Sequence, residues 1–342
     1  MSHNRRVTDP FGVAADAEMP TLALAIDPEE VERRFKRGLP RCATEQGRIA
    51  LKSIQVLRYK PGRRCVIAYD IRVERPDAPR EKAILIGKVR ARRFGNEGYR
   101  LLDALWNAGF HRESSDHICV PEPIGVIPEF RMWLQRKVPG TSASELLLKP
   151  ESVEVSRRVA EGLCKLHRAG VPTERTHDMA DELRILHERL PLVAQTRPQL
   201  APRIERVLQA CDRLGASVPA RKTCGIHRDF YPAQVVGHAP RLYLLDFDLY
   251  CQGDPALDAG NYIGHVTEIS LRVRGDPAAL SETEQALEER FVELANGPAT
   301  RQAVRAYATL TLVRHIYLST LFPERAHLTE QLLAYCEERL LR

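Results

Sequence analysis

The pattern of apolar residues changes character once along this chain, and that change limits what it can fold into. Before about residue 138 the apolar residues alternate with the period of β-strands. Beyond the break at Pro139-Gly140-Thr141-Ser142 they recur at helical spacing, with no further strand signal until a hairpin near residue 235. This predicts an α+β chain with a boundary at residues 135–140. At 342 residues it is long enough for two lobes with substantial cores.

In the first part, residues 1–22 read as irregular and disordered. A helix follows from Asp27 as N-cap, with Pro28 at its first position, Glu30 closing a capping box and an end near Arg37 or Gly38. Residues 54–74 read as strand, turn and strand. Val56, Arg58, Val66, Ala68 and Asp70 fall on one face, and Leu57, Tyr59, Cys65, Ile67, Tyr69 and Ile71 on the other. The turn, residues 60–64, offers Gly62 and the cations Lys60, Arg63 and Arg64, a composition suited to anions. Pro76 to Pro79 mark a second turn. A third strand at 82–90 puts Lys88 on a face with Ile84 and Ile86. Residues 96–108 read as a helix with Glu97 in its first turn, a Tyr99–Leu102–Trp106 stripe and Gly109 as its stop. Residues 118–138 give two more strands around a turn at Glu129–Phe130.

Composition closes off several classes. No apolar run reaches the roughly 18 residues of a membrane helix, and residues 1–20 lack the apolar core of a secretory signal. The eight cysteines (42, 65, 119, 164, 211, 224, 251 and 336) form no C-x-x-C pair or zinc-ligand spacing, so a reduced cytoplasmic setting is expected. A net charge of +6 is too mild to call for nucleic acid. That charge is uneven: residues 52–112 hold 15 Lys/Arg against 6 Asp/Glu. Such a basic segment would draw in a polyphosphate.

The second part carries helices at about 152–168, 256–274, 282–296, 299–320 and 326–341, with one or two more within 178–214. The first ends LHRAGVP, where His167 reads as a core or capping residue. Between these helices lies GIHRDFYPAQVVGHAPRLYLLDFDLYCQGDPALD, residues 225–258. Val235-Val236 and Leu242 to Leu245 flank a short turn, and such a hairpin returns the chain to its start. Asp229, Gln234 and Asp246 therefore converge at one end of it. Oxygen donors gathered there suit a hard cation, and a carboxylate beside them suits orientation of a hydroxyl nucleophile in phosphoryl transfer. Asp254-Pro255 reads as N-cap and first position of the next helix.

The motifs His227-x-Asp229, an amide five residues later, Leu245-Asp246 and Asp254-Pro255-x-x-Asp258 resemble the signature of the aminoglycoside phosphotransferase and choline kinase-like family. The resemblance covers residues 50–270 and holds more loosely for the C-terminal helices. It implies a two-lobed, protein-kinase-like fold: a small antiparallel β-sheet N-lobe with one main helix, and a larger, mostly helical C-lobe. The divisions would be 1–50 as an N-terminal extension with one helix, 51–138 as the nucleotide-binding lobe and 139–342 as the catalytic and acceptor-binding lobe. By the same resemblance the chain would be a small-molecule kinase using ATP or GTP with Mg²⁺. Asp229 would be the catalytic base and His227 its companion in the loop, there chiefly as a brace. Gln234 and Asp246 would ligate Mg²⁺, with Asp248 a further metal-site carboxylate. Lys88, supported by Glu97, would hold the α- and β-phosphates beside Lys60, Arg63 and Arg64. The backbone from Gln135 to Val138 would meet the base. Asp254 and Asp258 would be framework.

Two positions depart from the family's pattern. Gln234 stands where asparagine is usual, and Asp248 where glycine is common. Gln234 and the glycine-poor turn at residues 60–64 leave open a nucleotide-binding pseudoenzyme, and the fold class leaves open a nucleotidyltransferase. The expected partner is a small-molecule hydroxyl acceptor: an aminoglycoside, an amino alcohol or a sugar. A cationic acceptor would want an acidic or aromatic pocket, for which Asp181, Glu182, Glu188, Glu268 and Tyr262 are available. Neither membrane nor nucleic acid is expected as a partner, and the chain should be a monomer or homodimer.

Overall fold

The structure, a computed structural model, describes residues 6–39, 48–75, 78–91, 96–295 and 297–341. Cys42, Arg92, Arg93 and the Pro76-Asp77 start of the expected second turn lie outside the described residues. The chain divides into two compact units, Met1–Pro139 and Gly140–Arg342, and has the α+β arrangement of an antiparallel sheet followed by a mostly helical region.

The first unit is built on a six-stranded sheet. Its strands are β1 (Arg6–Thr8), β2 (Arg48–Lys60), β3 (Arg64–Arg75), β4 (Ala78–Arg90), β6 (Pro123–Ile127) and β7 (Met132–Arg136), in the order β1-β2-β3-β4-β7-β6. A two-residue strand, β5 (Ile118–Cys119), precedes β6. The β2–β3–β4 meander and the β6–β7 hairpin are antiparallel, while β1 joins β2 in parallel. Two helices, α1 (Thr21–Ala25) and α2 (Pro28–Gly38), share the sheet's core: Val13, Met19, Leu22, Val31 and Phe35 are buried with Ile54, Ile67, Tyr69 and Leu85. Asp27 caps α2 by accepting the Glu29 and Glu30 N–H groups. Tyr69 ties the layers together, its hydroxyl donating to the Ala25 carbonyl at 2.8 Å.

The N-terminal segment corrects the expectation of disorder. Residues 6–26 contain a strand, a 3₁₀ turn and α1, and they supply part of the core. A second correction concerns β2. Leu57 is 38% exposed instead of facing inward, because a register shift between Val56 and Arg58 inverts the alternation there. In β4, Leu85, Gly87 and Val89 are buried, so Lys88 lies with Ile84 and Ile86 on the less covered face, as the alternation predicts. Helix α3 (Glu97–Leu105) buries Leu102 of the expected stripe together with Leu105, while Tyr99 and Trp106 are half-buried. A π-type turn then carries it to Gly109 at φ +97°.

The second unit carries α4 (Ala143–Leu146), α5 (Ser152–Arg168), α6 (Met179–Thr196), α7 (Ala201–Ser217), α8 (Pro255–Arg274), α9 (Ser281–Ala295), α10 (Pro298–Thr320) and α11 (Thr329–Leu341). Its short strands are β8 (Thr141–Ser142), β9 (Cys224–Ile226), β10 (Val235–His238), β11 (Arg241–Leu244) and β12 (Cys251–Gly253). Of these, β8 and β9 have no alternation long enough to register in the sequence. Hairpin β10–β11 pairs Val235 with Leu244, with β8 on its outer side, and β9 pairs with β12. Helix α8 is buried along most of its length.

Helices α8 and α10 approach closely through two glycines. A Cβ added at Gly260 would lie 2.5 Å from Tyr307 Cβ and 2.7 Å from the Val304 carbonyl oxygen. One added at Gly264 would lie 2.7 Å from Thr311 Cβ. Overpacking of this kind costs about 1–3 kcal/mol, which outweighs the helix-propensity gain of ~1 kcal/mol from Gly→Ala. Gly260→Ala and Gly264→Ala should each lower the urea midpoint of unfolding. An unchanged midpoint in both would show that the two helices are not in contact there.

Candidate active site

The candidate site is organised by a buried carboxylate. Asp258, in the first turn of α8, is 0% exposed. Its Oδ2 accepts the His227 N–H at 2.8 Å, and its Oδ1 accepts the Arg228 N–H at 2.7 Å. His167, near the end of α5, adds a third contact, with Nε2 at 2.9 Å from Oδ2. Two consecutive amides are thereby clamped directly before Asp229. Arg228 sits at φ +70°, a left-handed conformation that a non-glycine residue holds only when its surroundings enforce it.

His227 ties this loop to the hairpin. Its ring is fully buried between Phe230 and Phe247, with centroids at 5.3 and 5.0 Å. Nε2 lies 2.7 Å from the Leu245 carbonyl oxygen. A carbonyl only accepts, so the proton is on Nε2. The bond fixes the backbone directly before Asp246, which itself sits at φ +59°. Across the hairpin the Leu245 N–H donates to the Gln234 carbonyl at 2.8 Å, and Gln234 is only 8% exposed. Thus the loop 227–229, the Pro232–Gln234 turn and residues 245–246 are joined by hydrogen bonds at one end of the hairpin. Burial raises the Asp229 carboxyl above its usual range and Asp246 pushes in the same direction, while His227, Arg314 and Arg228 act against them.

The other sequence candidates fall as follows. Asp248 is in the turn after Asp246, where its backbone carbonyl accepts from Arg175 at 2.9 Å. Among the described residues no three His, Cys, Asp or Glu side chains gather as a metal site, so Asp229, Asp246 and Asp248 do not form a three-carboxylate cluster. Asp254 caps α8 through the Ala256 N–H and meets Arg221 at 3.3 Å. In the first unit, Lys88 Nζ lies 5.1 Å from the centre of the Trp133 ring. The first turn of α3 reaches the same indole: a Cβ at Gly98 would lie 3.0 Å from Trp133 Nε1, and Glu97 is the preceding residue. Gln135 pairs with Ile86 in the β4–β7 ladder, and the Lys137 N–H donates to the Ile84 carbonyl beside Val138. Lys60, Arg63 and Arg64 are exposed at the β2–β3 turn, where Gly62 takes φ +60°.

The groups available for an acidic pocket are committed elsewhere. Asp181 caps α6 with Asp178 and pairs with Arg184, which also holds Glu188. Glu268 is buried against Arg272, and Tyr262 is buried. Glu182 belongs to a network that sequence reasoning missed, because its members come from four separate segments. Glu182 accepts from His177 at 2.6 Å and from Arg314 at 3.2 Å. Arg314 also donates to Asn261 Oδ1 at 2.5 Å, and Asn261 Nδ2 donates to the Phe230 carbonyl at 3.0 Å. Burial opposes ionisation of Glu182, but His177 and Arg314 outweigh it and hold the carboxyl below its usual range. Next to Phe230, Tyr231 stacks on His265 at 4.8 Å. Burial holds that imidazole well below its usual range, as do His315, Arg314 and Arg325.

Together these features define a kinase-like α+β enzyme chain, with a histidine-aspartate loop braced from the following helix. The model of the phosphotransferase enzyme family (APH) matches residues 97–307, and the chain belongs to that family of small-molecule phosphotransferases. The match covers Glu97, Asp229, Gln234, Asp246 and Asp258; the β2–β3 turn and Lys88 lie outside it. A comparison with curated proteins gave no match. Solved structures share the fold at low identity. A choline/ethanolamine kinase family protein from Mesorhizobium loti superposes with a TM-score of 0.54 at 15% identity, covering 91% of this chain and 93% of its own. The GDP complex of aminoglycoside 2'-phosphotransferase-IIIa gives 0.52 at 16% identity, with coverages of 85% and 94%. ADP-bound aminoglycoside phosphotransferase APH(2'')-Ib gives 0.50 at 14%, with 84% and 94%. No described helix is long and apolar enough to cross a membrane.

Truncating Asp258 would leave the buried His227 amide and the part-buried Arg228 amide without their partner. Asp258→Ala should cost about 3–5 kcal/mol of stability, read by urea unfolding. A loss below ~1 kcal/mol would mean that the loop is held by other contacts.

Proposed function

We propose that the chain transfers the γ-phosphoryl group of ATP or GTP to a hydroxyl of a small molecule, with Asp229 orienting that hydroxyl and receiving its proton. The observation that carries this reading is the Asp258 clamp on residues 227 and 228, joined through His227 to the backbone before Asp246. Such a frame fixes the backbone that carries Asp229, Gln234 and Asp246, with Asp246 close enough to push the Asp229 carboxyl up.

The acceptor oxygen would bond to the γ-phosphorus as the bond to the β–γ bridging oxygen breaks, releasing a nucleoside diphosphate. The acceptor proton would pass to an Asp229 carboxylate oxygen. Gln234 Oε1 and the Asp246 carboxylate would hold Mg²⁺; as two hard oxygen donors near a second carboxylate, they fit an ion that keeps waters and phosphate oxygens in its shell. When bound, Mg²⁺ would supply neutralisation of charge on the phosphates. Lys88, supported by Glu97, and the cations Lys60, Arg63 and Arg64 would bind the phosphates, and the backbone at Gln135–Val138 the base. The first unit would thus be the nucleotide-binding part and the second the catalytic part. Asp229 works by position and charge, for which a rigid loop is the main requirement.

The acceptor favoured by the site is neutral or anionic. The carboxylates available for an acidic pocket are each paired with an arginine, which weakens them as anchors for a cationic acceptor.

Asp229→Asn should lower turnover by about 10²–10⁴-fold while leaving nucleotide binding and thermal stability in place. Undiminished turnover would remove Asp229 from its role. In a panel of aminoglycosides, amino alcohols, sugars and hydroxy acids, scored by nucleoside diphosphate release, the sugars or hydroxy acids should turn over fastest. Preference for an aminoglycoside would contradict the acceptor class.

A further inference from the structure

The turn between β2 and β3 does not stand alone. Asp16 Oδ2 accepts the Gly62 N–H at 2.9 Å and the Tyr59 O–H at 2.7 Å. Its other oxygen, Oδ1, accepts the N–H groups of Glu18 (2.8 Å) and Met19 (3.1 Å). One carboxylate therefore spans 46 residues of sequence and joins the N-terminal segment to the glycine of a cationic hairpin tip. These hydrogen bonds, from Gly62 first and Tyr59 next, hold the Asp16 carboxyl below its usual range, so it is ionised at neutral pH. The same carboxylate pushes the Tyr59 hydroxyl up to about 12, so that group remains a donor.

The segment bearing Asp16 is itself anchored. Strand β1 lies along β2, with Arg6 opposite Ser53 and Thr8 opposite Gln55. Asp9 accepts from the Phe11 N–H at 3.1 Å and the Val13 N–H at 2.7 Å. Val13 and Met19 are buried in the core of the sheet, and Phe11 packs at 6.1 Å from the Tyr59 ring. Gly62 is confined from the same side: a Cβ there would lie 2.5 Å from Glu18 Oε2, at a φ of +60° that already favours glycine. The backbone donor at the centre of the turn is thus used within the protein. What the turn can offer an anion is the side chains of Lys60, Arg63 and Arg64, in a geometry set from behind.

We propose that Asp16 is a positioning residue for nucleotide binding: it fixes the 60–64 turn so that its three cations are presented to the phosphates. This inference rests on the reading of that turn as phosphate-binding. A carboxylate held through Oδ1 by its own core-buried segment, while Oδ2 holds the turn, acts as a brace; one that competed with phosphate for Gly62 would need to leave when nucleotide arrives. The two possibilities have opposite signs. Removing a brace weakens nucleotide binding, and removing a competitor strengthens it.

The test is steady-state kinetics and calorimetry of Asp16→Ala and Tyr59→Phe in the full chain. Asp16→Ala should raise the KM and Kd for nucleotide about tenfold, the equivalent of ~1.4 kcal/mol. Turnover at saturating nucleotide and the acceptor KM should stay within about twofold. Tyr59→Phe, which spares the Gly62 contact, should give a smaller rise of the same sign. Should Asp16→Ala fail to fold, Asp16→Asn, which keeps one acceptor oxygen, should fold and show an intermediate rise. An unchanged or lower nucleotide Kd in the folded variants overturns the inference. If that result comes with an Arg63→Ala/Arg64→Ala variant that does weaken nucleotide binding, the phosphate-binding turn survives and only the role of Asp16 falls. If neither Asp16 nor the two arginines affect nucleotide binding, both readings fall.

Discussion

Two hydrogen bonds to one buried carboxylate hold the candidate site together. Asp258 gives one oxygen each to the amides of His227 and Arg228, and the backbone conformation directly before Asp229 depends on that pairing. A buried carboxylate is costly unless its oxygens are occupied, and here three donors occupy them, from the loop and from α5. The arrangement needs α8 to start at a fixed place. Asp254 as N-cap, Pro255 at the first position and the glycine-mediated seat on α10 provide that. The chemistry proposed for Asp229 therefore depends on packing further along the helix, at Gly260 and Gly264.

The two units use comparable devices. In the second, a carboxylate from a helix fixes a loop that follows a short strand. In the first, a carboxylate from the N-terminal segment fixes the turn of a hairpin. In both, an oxygen acceptor supplied from a distant part of the sequence satisfies backbone donors that regular secondary structure leaves unpaired. Such a loop keeps one shape without regular secondary structure, which suits a function that works by positioning charge.

What the sequence disclosed follows the range of its signals. The β2–β3–β4 meander, the capped α2, the long helices of the second unit and the β10–β11 hairpin all leave local patterns, and each was legible. Leu57 was misplaced because a one-residue register shift is invisible to alternation. The strand and helix within residues 6–26 were missed because three- to five-residue elements have no period to detect. The family resemblance marked Asp254 and Asp258 as framework, but the contact of Asp258 with His167 joins residues 91 apart, and the Glu182–Arg314–Asn261 network joins separate helices. Pairings of this kind leave no trace in one sequence. Gly260 and Gly264 carried a usable signal, since a four-residue spacing of glycines on a buried helix favours close helix approach.

The central claim is that this frame serves phosphoryl transfer. The most direct measurement is the mass of the acceptor after incubation with nucleoside triphosphate and Mg²⁺, taken for the acceptor giving the fastest diphosphate release. The account predicts that the acceptor gains one phosphoryl group, in amounts equal to the nucleoside diphosphate formed. An acceptor that gains a nucleotidyl group, or one left unchanged by a chain that binds nucleotide, would contradict it.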